Sequence, residues 1–163
     1  MPEMSVVNFK KENGWENTSQ FNTYSVRYSY ELSLDKPLPE ATLALAHEIF
    51  NEVSESKKNP GFMGMNALQT SIAISSTASE WVSAQESFPS RRDAFLSRCK
   101  ACMNYWNEEG DTDTVTARRY AYIYAWSELE KLGFKDSATT GDKVARTAWA
   151  NFMKTEKGWM ARQ

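Results

Sequence analysis

Two cysteines, one histidine and three basic clusters are the side chains here whose types and spacing could do chemistry. Cys99-Lys100-Ala101-Cys102 has the spacing of a redox pair or of half a zinc site. Four-coordinate zinc needs two further ligands, and the single histidine, His47, supplies one, so a carboxylate would have to complete the set. A redox pair relies on a helix N-terminus to lower the pKa of its first thiol. The apolar stripe Phe95, Cys99, Cys102, Met103 and Trp106 instead puts the pair in the middle of a helix, where it reads as buried structural cysteine. His47 sits beside Glu48, but adjacent helical positions point about 100° apart and do not face each other. A partly exposed histidine at the core edge is the better reading.

No Gly-x-Ser-x-Gly occurs, and a Ser–His–acid triad could recruit only His47. Asn59-Pro60-Gly61-Phe62-Met63-Gly64-Met65 lacks the lysine and hydroxyl of a phosphate loop and reads as a loop whose apolar residues offer an adaptable contact surface. The acidic turn Glu108, Glu109, Asp111, Asp113 lacks the ligand order of an EF-hand and reads as helix capping. Basic residues gather at Arg91-Arg92, at Arg98 with Lys100, and at Arg118-Arg119, the last pair just before Tyr120-Ala121-Tyr122-Ile123-Tyr124-Ala125-Trp126. Arginine beside aromatic rings is how single-stranded nucleic acid is held. Against that, some of these tyrosines must face a core, and Glu128, Glu130 and the acidic turn would repel phosphate. A solvated helix face is favoured over nucleic-acid binding. These residues call for no metal and no cofactor.

The elements that must position these groups follow from periodicity. Tyr24, Val26, Tyr28, Tyr30, Leu32 and Leu34 alternate with polar residues, which predicts a long strand over about 22–34. Asp35-Lys36-Pro37-Leu38-Pro39 ends it. A helix is predicted over Glu40–Ser54 from Leu43, Ala46, Ile49, Phe50 and Val53. Thr70, Ile72 and Ile74 alternate with Ser71, Ala73 and Ser75, so a second strand near 68–75 is the first candidate partner for the long one, with residues 5–10 behind it. Helices are then predicted near 77–87, from Pro89 to Gly110, from Thr114 to Leu132 closed by Gly133, and from about Thr140 through Val144, Ala148 and Phe152. The expected fold class is α+β, mostly helical, with a small antiparallel sheet packed against four to five helices. The chain reads as one domain over 1–163, with residues 1–12 a flexible lead-in.

Its 163 residues include 41% apolar and 13% aromatic side chains, more ring surface than one small core needs, so some rings are expected at an interface. Nineteen Lys and Arg against 21 Asp and Glu give a formal charge of −2, which argues against gripping nucleic acid by phosphate neutralisation alone. The absence of any long apolar run or basic leader, with only two cysteines, points to a cytoplasmic protein that does not cross a membrane.

The segment Asn13-Gly14-Trp15-Glu16-Asn17-Thr18-Ser19-Gln20-Phe21-Asn22 resembles the opening of small uncharacterised phage and mobile-element accessory proteins, which often read Asn-Gly-Trp-x-Asn followed by an aromatic–Asn pair. The resemblance covers ten residues and reaches no catalytic motif. It implies a phage accessory factor and assigns no site. Together with the abundance of Trp, Tyr and Met, it favours a non-enzymatic protein that binds another protein and modulates or inhibits a host system. Trp15, Phe62, Met63 and Trp159 are the expected contact residues, each in a loop or near a terminus. The alternatives are a small enzyme with a site of carboxylate, Tyr and Lys, and a nucleic-acid binder using Arg91, Arg92, Arg118 and Arg119. A homodimer through an unpaired edge of the Tyr-rich strand is compatible with all three.

Overall fold

Between residues 34 and 141 the chain is helical because its apolar positions recur every three or four residues. On either side of that stretch they alternate. The computed structural model describes residues 3–16, 23–58, 62–155 and 158–161, with the backbone alone at 16, 56–58, 62–68, 154–155 and 159. It divides into a helical unit (Met1–Met4 with Leu34–Gly141) and a sheet unit (Ser5–Ser33 with Asp142–Gln163). Five helices and a four-stranded antiparallel sheet make the fold α+β.

The helical unit contains α1 (Leu38–Lys58), α2 (Phe62–Ser83), α3 (Phe88–Ser97), α4 (Lys100–Asn107) and α5 (Thr112–Leu132). Helix α5 packs on both α1 and α2, which also pack on each other. Its ends are set by local chemistry. Asp111 accepts from the Thr114 N–H at 2.9 Å, and Gly133 adopts a left-handed φ of 113° that closes the C-terminus. Leu38, Ala46, Ala78, Tyr122, Ala125 and Trp126 are fully buried. Phe95 stacks on Trp126 with ring centroids 3.9 Å apart, and Phe88 and Trp81 close around the same indole.

Two expectations fail within this unit. Residues 68–75 belong to α2 and form no strand. Ile74, Ala78 and Trp81 recur at helical spacing, and the Ser75 hydroxyl donates to the Ser71 carbonyl at 3.0 Å, so the serines that suggested alternation satisfy themselves within the helix. The helix expected from Pro89 to Gly110 is two helices. Cys99 is extended (φ −146°, ψ 104°) and caps α4, its sulfur accepting from the Cys102 N–H at 3.1 Å.

The sheet unit runs in the order β1 (Met4–Glu16), β2 (Thr23–Leu34), β3 (Lys143–Thr155), β4 (Gly158–Ala161). The Tyr-rich strand is therefore internal, with β1 on one side and β3 on the other, and it has no free edge to offer a second copy. Residues 5–10, expected second among its partners and also read as part of a flexible lead-in, lie in β1. Residues 143–155 were expected to be helical on the evidence of Val144, Ala148 and Phe152, but they form β3. A spacing of four is also a multiple of two, so those three residues share one face of a strand as readily as one face of a helix. In the register, Tyr24 lies opposite Phe152, Tyr28 opposite Ala148 and Leu32 opposite Val144 on one face. Arg27 opposite Trp149 and Thr23 opposite Met153 mark the other. Gly14 passes close to Tyr24: a Cβ there would lie 2.6 Å from its Cε1, so the ring would have to shift to admit a side chain.

Candidate functional site: an aromatic sheet face and an arginine pocket

Trp15 and Trp149 meet edge to face with centroids 4.8 Å apart. They are brought together by the pairing of β1 with β2 and of β2 with β3. The Arg27 guanidinium lies 5.8 Å from the Trp149 ring centroid and pairs with Glu12 at 3.1 Å. Met153, and Met160 opposite it on β4, continue the same face. Trp15 is 45% exposed, Trp149 54%, Met153 44% and Met160 55%, so this face presents large apolar groups to solvent. On the opposite face Phe9, itself exposed, stacks on Tyr28 and Tyr30 at 5.1 and 6.4 Å. Of the seven exposed large hydrophobic residues among the described ones, only Ile72 belongs to the helical unit.

Trp15, expected as a contact residue in a loop or near a terminus, lies in β1 and is exposed. Phe62 and Met63 fall in the first turn of α2, not in a loop, and their side chains lie outside the described residues. Trp159 falls in β4, with its side chain likewise outside them. Trp149, Met153 and Met160 were missed because the first two were read as helical. The alternation Thr147, Trp149, Asn151, Met153 against Ala148, Ala150, Phe152 is the signal that could have found them.

The four arginines proposed for nucleic acid are split two and two. Arg91 donates to both Asp136 oxygens (2.7 and 2.8 Å), to Glu130 at 2.8 Å and to Gln85 at 2.6 Å, and lies 4.9 Å from the Trp81 and Trp126 centroids. The hydrogen bonds of Asp136 raise its pKa further above the usual guanidinium value. Burial works to raise the Asp136 carboxyl, but the bonds from Arg91 and Trp126 and the charges of Arg91 and Arg98 outweigh it and hold that carboxyl below the ordinary range. Arg118 is 6% exposed and ties α5 to α4, donating to the Tyr105 and Glu108 carbonyls, while the Tyr105 hydroxyl donates back to the Arg118 carbonyl at 3.0 Å. Both guanidiniums are engaged by groups of the chain itself.

Arg92 and Arg119 behave differently. Their guanidiniums lie 5.5 and 5.1 Å from the Trp106 centroid, and both line one cavity of about 480 Å³ in the helical unit. Val82, Phe88 and Ile123 supply its apolar wall, and Thr116, Ser83 and Tyr120 its hydroxyls. A second cavity of about 350 Å³, mostly apolar, lies among Ile49, Val53, Ile74 and Tyr120 of α1, α2 and α5.

Cys99 and Cys102 are joined as a disulfide, 4% and 0% exposed. They sit at the start of α4 and not inside a helix as expected. His47 is exposed, its ring edge-on to Tyr105 at 5.0 Å. Among the described residues no three His, Cys, Asp or Glu gather as metal ligands would, and no helix is long and apolar enough to cross a membrane. The nearest approach to a carboxylate–phenol site is Glu40, one of whose oxygens is buried without a hydrogen-bond partner, beside Tyr122. Burial first, then the Glu40 charge, push the Tyr122 hydroxyl above its ordinary range. Neither residue lines either of the cavities described above. No protein-family model, curated protein or solved structure matches the chain.

Proposed function

We propose that this protein is a non-enzymatic accessory factor, of phage type, that binds another protein through its sheet and so modulates a host system. The observation that carries the reading is the face of Trp15, Trp149, Met153 and Met160, each 44% to 55% exposed. Trp, Met and Arg are the residues enriched where proteins bury each other, and a few such anchors supply most of the binding energy. The charge distribution supports an acidic partner. The sheet unit holds eight Lys and Arg against five Asp and Glu, leaving eleven and sixteen of the chain's 19 and 21 for the helical unit. A partner with an apolar pocket rimmed by carboxylates complements Arg27 and its neighbouring rings.

The test is capture from host lysate followed by affinity measurement on the purified partner. Trp149→Ala is expected to weaken binding by about 2 kcal/mol, roughly thirtyfold. Ile72→Ala on the helical unit should leave it unchanged. A lysate that yields no stoichiometric partner overturns the reading, as does a purified partner indifferent to Trp149. Tight, salt-dependent binding of a single-stranded oligonucleotide to the same face would replace the protein partner with nucleic acid, because basic sheets with exposed rings also stack bases.

A further inference from the structure

We infer that the cavity between α2, α3, α4 and α5 is a binding site for a small anion, a carboxylate or phosphate group carried on a ring-sized apolar body. It lies wholly in the helical unit and does not depend on what the sheet binds.

Of the arginines on α3 and α5, Arg91 is bonded to two carboxylates, and Arg118 is buried on backbone carbonyls beside Glu108. Arg119 makes no ion pair among the described residues. Its Nε donates to the Trp106 carbonyl at 3.0 Å, which fixes the side chain and leaves the terminal nitrogens for another acceptor. Arg92 is paired through Nε with Asp93 at 3.1 Å, but the Asp93 side chain is 69% exposed. Such a contact is weak and is readily exchanged for a better-placed oxyanion.

Geometry adds to this. Both guanidiniums are held against the Trp106 indole, which is 8% exposed and therefore rigid. Two planar cations fixed on one ring form a preorganised receptor, because little side-chain entropy remains to be lost on binding. Beside them the wall of Val82, Phe88 and Ile123 is apolar, and Phe88 and Ile123 are each 6% exposed. At about 480 Å³ the cavity falls within the usual size range of ligand sites. A bare inorganic anion would leave that wall wet, and a neutral ring would leave the two charges unanswered. Only a molecule with both parts satisfies the site.

Naphthoate and naphthyl phosphate serve as anionic probes and naphthol as the uncharged control, with binding read by tryptophan fluorescence and calorimetry on the full chain. At least one anionic probe is expected to bind saturably and about tenfold or more tightly than naphthol. Which of the two binds better identifies the oxyanion. Arg92→Gln and Arg119→Gln should each weaken that probe by about tenfold. Because Arg119→Gln also removes a tie to Trp106, the same probes are titrated into the wild-type protein by NMR. Backbone shifts are expected at 82–83, 88–92, 106 and 116–123. Failure of both anions to saturate, naphthol binding equally well, affinity unchanged in both variants, or shifts confined to other segments would each overturn the assignment.

Discussion

The helical unit and the sheet unit use the same residue types in opposite ways. In the first, Trp81, Trp126, Phe88, Phe95, Tyr105 and Tyr122 lie edge to face, tilted or stacked within one continuous cluster. The indole N–H groups of Trp81 and Trp126 are satisfied by Glu130 and Asp136. In the second, Phe9, Trp15 and Trp149 meet one ring each or two, and 45% to 64% of their surface faces water. Exposed apolar area contributes nothing to folding and invites association. Rings in the helical unit therefore help to specify the fold, whereas Phe9, Trp15 and Trp149 on the sheet stay exposed.

That contrast is broken most forcefully from the inside. Trp126→Ala removes a fully buried indole, its stack with Phe95 and its bond to Asp136, and is expected to cost about 4 kcal/mol in chemical denaturation. A loss below about 1 kcal/mol would mean that the ring cluster does not carry the stability of this unit.

The Arg91 clamp comes next. Asp136 has a folded-state pKa below its ordinary value, so its contribution is fully present above about pH 4 and is lost as pH falls through the lowered pKa. Asp136→Asn should cost about 1–2 kcal/mol at neutral pH, discounted because the pair is partly solvated, and should flatten the acid limb of the stability curve. An acid limb identical to wild type would locate the acid sensitivity elsewhere.

The smallest effect sharpens the comparison from the other side. Trp149→Ala should change thermal stability by no more than about 0.5 kcal/mol while it abolishes most partner binding. A large loss of stability would show that the exposed ring belongs to a core after all.

How much of this was legible depends on whether one periodicity excluded the other. The Tyr-rich strand was clear because six apolar residues in step two cannot share a helical face. Helix α5 was clear from Asp111 at one end and Gly133 at the other. β3 was hidden because Val144, Ala148 and Phe152 satisfy both templates, and the strand at 70–75 was a false alternation of serines that bond within their own helix. Arg92 and Arg119 were visible as basic residues. Their separation from Arg91 and Arg118 was not, since adjacent positions on a helix look alike until the facing groups are known, here Asp136 and Glu130 for Arg91 and the Tyr105 and Glu108 carbonyls for Arg118. The place of Cys99 at the start of α4 was hidden with the break between α3 and α4, which no Pro or Gly announces.

The order in which the chain can be completed follows from one hydrogen bond. Ser25 donates to Asn151 across 126 residues, and helices α1 to α5 all lie between them. Helices built on neighbours in sequence form early and fast, whereas a ladder that joins distant segments must wait for its last strand. On a ribosome the helical unit can settle while β1 and β2 stand without β3. The Trp15–Trp149 contact then forms only after synthesis has passed residue 149.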